Sequence, residues 1–122
     1  MSNPQNLADK KCIPCENGAC PIGIKDIENY MQQLNENWIV IKKTGKPKII
    51  ERHYDFPNFI SAESFINEIG KIAEQEGHHP DLKLEYGYVH VSLHTHSIGG
   101  LSENDFILAA KIEELYSRNP SS

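Results

Sequence analysis

The 122-residue sequence contains only three cysteines, no long apolar run and no excess of basic residues. No stretch approaches the ~20 apolar residues that a helix needs to cross a bilayer, and the N-terminus lacks the charged-then-apolar arrangement of a secretory signal. The 12 basic and 17 acidic side chains give a formal net charge of −5, which argues against a nucleic-acid binder that relies on a basic face. We therefore expect a cytoplasmic protein with no membrane segment and no nucleic-acid partner.

The three cysteines, Cys12, Cys15 and Cys20, all lie within the first 20 residues. An odd number of cysteines in a reducing compartment does not favour a disulfide framework. Cys12 and Cys15 have the C-x-x-C spacing of half a zinc site, but no second such pair follows. We interpret residues 1–21 as a Cys/Pro-containing leader with packing cysteines, leaving metal binding and redox chemistry as alternatives, and residues 22–118 as a single domain.

The periodicity of apolar residues predicts three helices and four strands. Apolar positions recur at helical spacing over about residues 22–35, again after Asn58 as far as Gly77, and again after Ser102. Short segments of alternating apolar and polar residues, typical of half-buried strands, form two hairpins between these helices. The order α-β-β-α-β-β-α favours an α+β fold with a four-stranded antiparallel sheet and helices packed on one face.

Five of the six histidines lie within nineteen positions, from His78 to His96. Glu74 precedes His78 by four residues, a spacing that places both side chains on one face of a helix, so we expect the carboxylate to orient that imidazole. Gly77 and the proline after His79 end the helix, which leaves His79 free to point elsewhere.

Four interpretations of the histidine cluster are open. The histidines can be surface side chains on the open face of the sheet, which is how we interpret His53 and His90. They can form a zinc site, because His94 and His96 lie two apart on one strand and could share a metal with residues 78–79. They can perform metal-free acid/base catalysis, or bind a ligand or partner without catalysis.

Asp105 also has two interpretations. Ser102 and Asp105 have the spacing of a capping box, in which the aspartate accepts a hydrogen bond from the backbone amide of the serine. This structural role is at least as well supported by the sequence as a role in catalysis.

Together these residues resemble the signature of the pterin-4a-carbinolamine dehydratases. The fixed points of the resemblance are Glu74, His78-His79-Pro80, Tyr86, His96 and Asp105, flanked by Leu93-His94-Thr95-His96 and Gly100-Leu101-Ser102. A looser similarity covers roughly the C-terminal three quarters of the chain. Several spaced residues across some thirty positions are far more specific than a double histidine alone.

The resemblance implies a fold and a function. Members of the family have a four-stranded antiparallel sheet with helices on one side, and they dehydrate 4a-hydroxytetrahydropterin to quinonoid dihydropterin without a metal or other cofactor. That reaction recycles the cofactor of aromatic amino-acid hydroxylases, so a functional link to such an enzyme is expected. Members commonly form homodimers or homotetramers, and some animal members also serve as dimerisation cofactors of a homeodomain transcription factor.

Carried over by position, the resemblance implies a catalytic set of His78, His79 and His96. Glu74 is expected to support His78, and Asp105 to lie near His96. The remaining residues expected to support the site or bind substrate are Gly77, His94, Thr95 and Ser97. No metal ligand is expected.

Overall fold

The computed structural model describes residues 7–13 and 22–118. The helices are α1 (Ile24–Gln33), α2 (Phe59–Glu76) and α3 (Glu103–Arg118), and the strands are β1 (Ile39–Lys43), β2 (Lys46–Asp55), β3 (Asp81–Glu85) and β4 (Tyr88–Leu93). Single turns of 3-10 helix occur at Leu7–Asp9 and His96–Ile98. Cys15, Cys20 and residues 119–122 lie outside the described residues, so the prediction of a leader over residues 1–21 stays a prediction.

The four strands form one antiparallel sheet in the order β1-β2-β4-β3. Ile50, Tyr54, Val91 and other inward side chains are buried under the helices, whereas the alternate positions, such as His53, face away from them. The predicted α+β fold, its element order and the packing of helices on one face are confirmed.

The central helix α2 begins and ends where its sequence predicts. The Asn58 side chain accepts a 2.8 Å hydrogen bond from the Ser61 amide, which satisfies one of the unpaired amides of the first turn. Gly77 follows the last helical residue with a φ of 67°, the left-handed conformation that glycine adopts without steric cost. This glycine turns the chain away from the helix axis, so His78 lies beyond the helix.

A polar cluster lies between β2 and α3. The Glu113 carboxylate accepts hydrogen bonds from Arg52 Nε at 2.9 Å, Tyr54 OH at 2.9 Å and Trp38 Nε1 at 3.1 Å. Burial, and then the Glu113 carboxylate, raise the pKa of the Tyr54 hydroxyl, so Tyr54 remains a donor. Trp38 is buried, and its indole N–H donates its hydrogen bond within this cluster.

None of the helices in the described part of the chain is long and apolar enough to cross a membrane.

Candidate active site

A cleft of about 520 Å³ opens where the end of α2, the end of β4 and the start of α3 meet. It is lined by four histidines and by three of the residues expected to support them: His78, His79, His94, His96, Gly77, Thr95 and Ser97. Because these residues come from two segments fifteen positions apart, the fold brings together what the sequence places in separate motifs.

His78 forms a close pair with Asp105. Its Nε2 atom lies 2.6 Å from Asp105 Oδ1, the aspartate is fully buried, and the imidazole is largely buried. A carboxylate oxygen at this distance favours the His78 tautomer with its proton on Nε2, which leaves Nδ1 outside this contact. This arrangement of a buried carboxylate behind an imidazole is the one that orients histidines in acid/base catalysis.

Asp105 uses its second oxygen to cap α3. Oδ2 accepts hydrogen bonds from the Ser102 amide at 3.0 Å and from Thr95 Oγ1 at 2.8 Å. The predicted capping contact with Ser102 is therefore confirmed, and it coexists with the contact to His78. The three hydrogen bonds offset the cost of burying the carboxylate, and they fix its plane relative to the imidazole.

The expected pairing of Glu74 with His78 is wrong. Glu74 Oε2 instead lies 2.6 Å from Nε2 of His79, and both of these side chains are exposed. The spacing of four residues places two side chains together only while the helix continues, and α2 ends at Glu76 before Gly77 redirects the chain. Asp105, expected to lie near His96, contacts His78 and bonds Thr95, the residue that precedes His96.

His96 lies in a loop outside the sheet. Thr95 and Gly100 form an isolated bridge with a 2.7 Å hydrogen bond from the Thr95 amide to the Gly100 carbonyl, and residues 96–99 loop out between them. The Nδ1 atom of His96 lies 3.3 Å from Nε2 of His94. The loop thus presents an exposed imidazole to the cleft while Thr95 remains buried at its base.

Five further residues line the cleft that the sequence did not indicate: Ile13, Glu76, Pro80, Asp81 and Asn104. Asp81 Oδ2 lies 3.8 Å from His94 Nδ1. The adjacency of Pro80 and Asp81 to the double histidine was the available signal for two of them. No pattern in the sequence relates Ile13 to Asn104.

The other polar groups near the cleft do not resemble catalytic centres. Burial, and then the nearby Glu76 carboxylate, raise the pKa of the Cys12 thiol to about 12, so this cysteine is a packing residue rather than a nucleophile. His53 and His90 lie on the open face of the sheet, where the His53 ring packs on Tyr88 with 4.2 Å between ring centroids. Within residues 7–13 and 22–118, no three side chains of His, Cys, Asp or Glu converge in a geometry that could hold a metal ion.

The fold and the cleft define an α+β domain with a histidine-rich site backed by a buried carboxylate. The sequence model of the family "Pterin 4 alpha carbinolamine dehydratase" matches residues 21–115. The chain is 49% identical over 109 residues to a protein from Alkaliphilus metalliredigens provisionally named pterin-4-alpha-carbinolamine dehydratase, covering 89% of this chain and 95% of that one. A protein of the same provisional name from Rickettsia canadensis is 49% identical over 107 residues, covering 88% and 94%. The chain belongs to the pterin-4a-carbinolamine dehydratase family.

Solved structures show the same fold. A transcriptional coactivator/pterin dehydratase from Brucella melitensis superposes with a TM-score of 0.71 at 26% identity, covering 78% of this chain and 97% of that one. A pterin dehydratase-like protein described as a RuBisCO assembly factor of the alpha-carboxysome superposes with a TM-score of 0.55 at 22% identity, covering 70% and 93%. The second similarity concerns the fold alone.

Proposed function

We propose that this protein is a hydro-lyase that converts pterin 4a-carbinolamine to quinonoid dihydropterin and water. The observation that carries the proposal is the buried His78–Asp105 pair at a cleft with three further histidines. Membership of the dehydratase family supports the choice of substrate. The chemistry of the site supports acid/base catalysis near neutral pH, where imidazole can both donate and accept protons.

The reaction needs two proton transfers. The C4a–O bond breaks as a proton is delivered to the departing hydroxyl, which leaves as water. A proton is removed from the ring nitrogen bonded to C4a, and the electron pair of that N–H bond forms the new C=N bond. One histidine can deliver the first proton and another can accept the second, so the site gives up one proton and takes up one in each turnover.

The geometry suggests a role for each histidine. His78, held by Asp105, exchanges a proton through Nδ1, and His96 approaches the pterin from the outer loop on another side. Each can act as the acid towards the hydroxyl. His79, 59% exposed and paired with Glu74, binds and orients the substrate rather than transferring a proton.

Direct assay of carbinolamine dehydration tests the proposal. His78→Ala and His96→Ala should each slow the dehydration of synthetic carbinolamine by about 10²-fold or more. His53→Ala is the matched control, since it removes an imidazole from the open face of the sheet and should leave the rate unchanged. Wild-type rates in both cleft variants would refute the catalytic assignment.

The proposed reaction uses neither a metal nor another cofactor. Imidazoles supply both proton transfers, so prolonged treatment with a chelator should leave the dehydration rate unaltered. Stoichiometric zinc in the purified protein, together with activity lost to the chelator, would overturn this part of the proposal.

We further propose a cytoplasmic homodimer or homotetramer that serves tetrahydropterin recycling beside an aromatic amino-acid hydroxylase. Exposed apolar side chains support self-association: Ile39 on β1 and Phe59 and Ile60 at the start of α2. Light scattering during size-exclusion chromatography measures the assembly. The alternative, a non-catalytic interaction module, has support from the coactivator name of the Brucella structure. Absence of dehydration by the intact wild-type protein would favour that alternative.

A further inference from the structure

The N-terminal segment Lys10–Ile13 borders the same cleft as the histidines. Leu7, in the turn that precedes it, is buried in the core, and this turn packs along α3. Ile13 lines the cleft together with His78 and His96, although 63% of the Ile13 residue surface remains exposed. The segment lies outside residues 21–115, the part of the chain that the family model matches.

Two side chains hold this segment by its backbone. Asn104 accepts a hydrogen bond from the Ile13 amide at 2.8 Å and donates one to the Ile13 carbonyl at 2.5 Å. Glu76 Oε1 accepts a hydrogen bond from the Cys12 amide at 2.8 Å. These contacts fix the backbone direction at Ile13, and the Ile13 side chain is thereby presented at the cleft.

Both anchors are adjacent to the proposed catalytic pair. Asn104 directly precedes Asp105, and Glu76 lies two residues before His78. The end of α2 and the start of α3 therefore position both the histidine–aspartate pair and the N-terminal segment. Their contacts with the N-terminal segment limit how far Ile13 can move relative to His78.

The cleft has few aliphatic side chains in its lining. Its lining consists of histidines, acids, small polar residues and a glycine, with Ile13 and Pro80 as the apolar side chains. A fused heteroaromatic ring needs apolar contact for its flat faces as well as polar groups for its edges. We infer that Ile13 packs against the face of the bound pterin ring and that Asn104 is a positioning residue that holds Ile13 there. This inference rests on the proposed function.

Steady-state kinetics with synthetic carbinolamine test the contact. Ile13→Ala should raise KM about 5-fold with kcat within twofold of wild type, because the contact binds the ring in the ground and transition states alike. Ile24→Ala is the matched control, since Ile24 is equally exposed, at 63%, and does not line the cleft. An unchanged KM for Ile13→Ala in a protein whose wild type is active would overturn the inference and leave the proposed function standing. No turnover by the wild type would overturn both.

A double-mutant cycle tests the role of Asn104. Asn104→Ala should raise KM at least as much as Ile13→Ala, because the Ile13 backbone loses both of its hydrogen bonds to the Asn104 side chain. Adding Ile13→Ala to Asn104→Ala should then raise KM by less than twofold, since the side chain is already displaced. If the two substitutions acted independently, their losses of substrate-binding free energy would add and their effects on KM would multiply. Multiplicative effects on KM would therefore refute the positioning role of Asn104.

Discussion

Replacing Asp105 separates its contribution to catalysis from its contribution to folding. The carboxylate receives the His78 imidazole on one oxygen and the Ser102 amide and Thr95 hydroxyl on the other. Asp105→Asn retains an oxygen for Ser102 and Thr95, but it turns an amide NH₂ group towards His78. Because the amide donates a hydrogen bond to His78 Nε2, the imidazole proton must then lie on Nδ1. Nδ1, the nitrogen proposed to exchange a proton with the substrate, thereby changes from an acceptor to a donor.

The two substitutions at this position should differ in magnitude. Asp105→Asn should lower kcat by about 10²-fold or more, as expected when a histidine is held in the wrong tautomer, and lower the free energy of unfolding by only about 1 kcal/mol. Asp105→Ala leaves the Ser102 amide and the His78 Nε2 proton without a partner in a buried site. At about 1–3 kcal/mol for each of these two groups, the loss should be about 2–6 kcal/mol.

Two assays measure these effects independently. Dehydration of synthetic carbinolamine gives kcat, and urea unfolding followed by fluorescence gives the stability, since the single tryptophan, Trp38, is 2% exposed and reports on the core. The double variant His78→Ala/Asp105→Asn should be no slower than His78→Ala alone, because the aspartate acts through that histidine. A kcat for Asp105→Asn within threefold of wild type, or equal destabilisation by Asn and Ala, would refute the reasoning.

Two further predictions concern stability. Glu113→Ala should lower the free energy of unfolding by about 3 kcal/mol, because it leaves Arg52 as a buried cation without its carboxylate. The control Glu114→Ala, at an exposed neighbouring position, should change the free energy of unfolding by less than about 0.5 kcal/mol. Equal effects of the two substitutions in urea unfolding would contradict a stabilising role for Glu113. The hydrogen bond from Lys10 lowers the pKa of Glu103 below its ordinary value of 4.5. The ionised Glu103 carboxylate therefore stabilises the folded protein fully above pH 4.5, and this stabilisation is lost as the pH falls through the lowered pKa of the folded state. Glu103→Gln should therefore cost roughly 0.5 kcal/mol near pH 7 and nothing near pH 2, and an equal cost at both pH values in urea unfolding would refute the linkage.

The fold could be predicted from local signals because those signals agree with the tertiary structure. Asn58 caps α2, Gly77 ends it, and alternating side chains set the inward faces of the strands. The second hairpin shows the limit of such signals. Tyr88 pairs with Glu85, so the turn consists of Tyr86 and Gly87, with the glycine at the second turn position. A left-handed conformation at glycine suits either turn position, so the sequence did not determine the register.

The residues of the site were easier to predict than their partners. The histidines and both carboxylates were expected in one site, yet Glu74 contacts His79 rather than His78, and the close partner of His78 is Asp105. The expectation for Glu74 applied a helical spacing rule across the residue at which the helix ends. Gly77, in the left-handed conformation, redirects the chain after α2, so His78 does not continue the helical face of Glu74. The contact of Ile13 with Asn104, across 91 positions, has no local signal at all.

The dual use of Asp105 couples the fold to the proposed chemistry. A carboxylate that only capped α3 could turn towards solvent, and one that only served His78 would need other groups to fix its plane. Here the Ser102 and Thr95 donors hold one oxygen in place, so the direction of the other towards His78 follows from the capping geometry. Since the loop that carries His96 begins at Thr95, the same hydroxyl also ties that loop to the carboxylate. The start of α3 thus fixes the two proposed proton-transfer groups relative to each other, which is the preorganisation that acid/base catalysis requires.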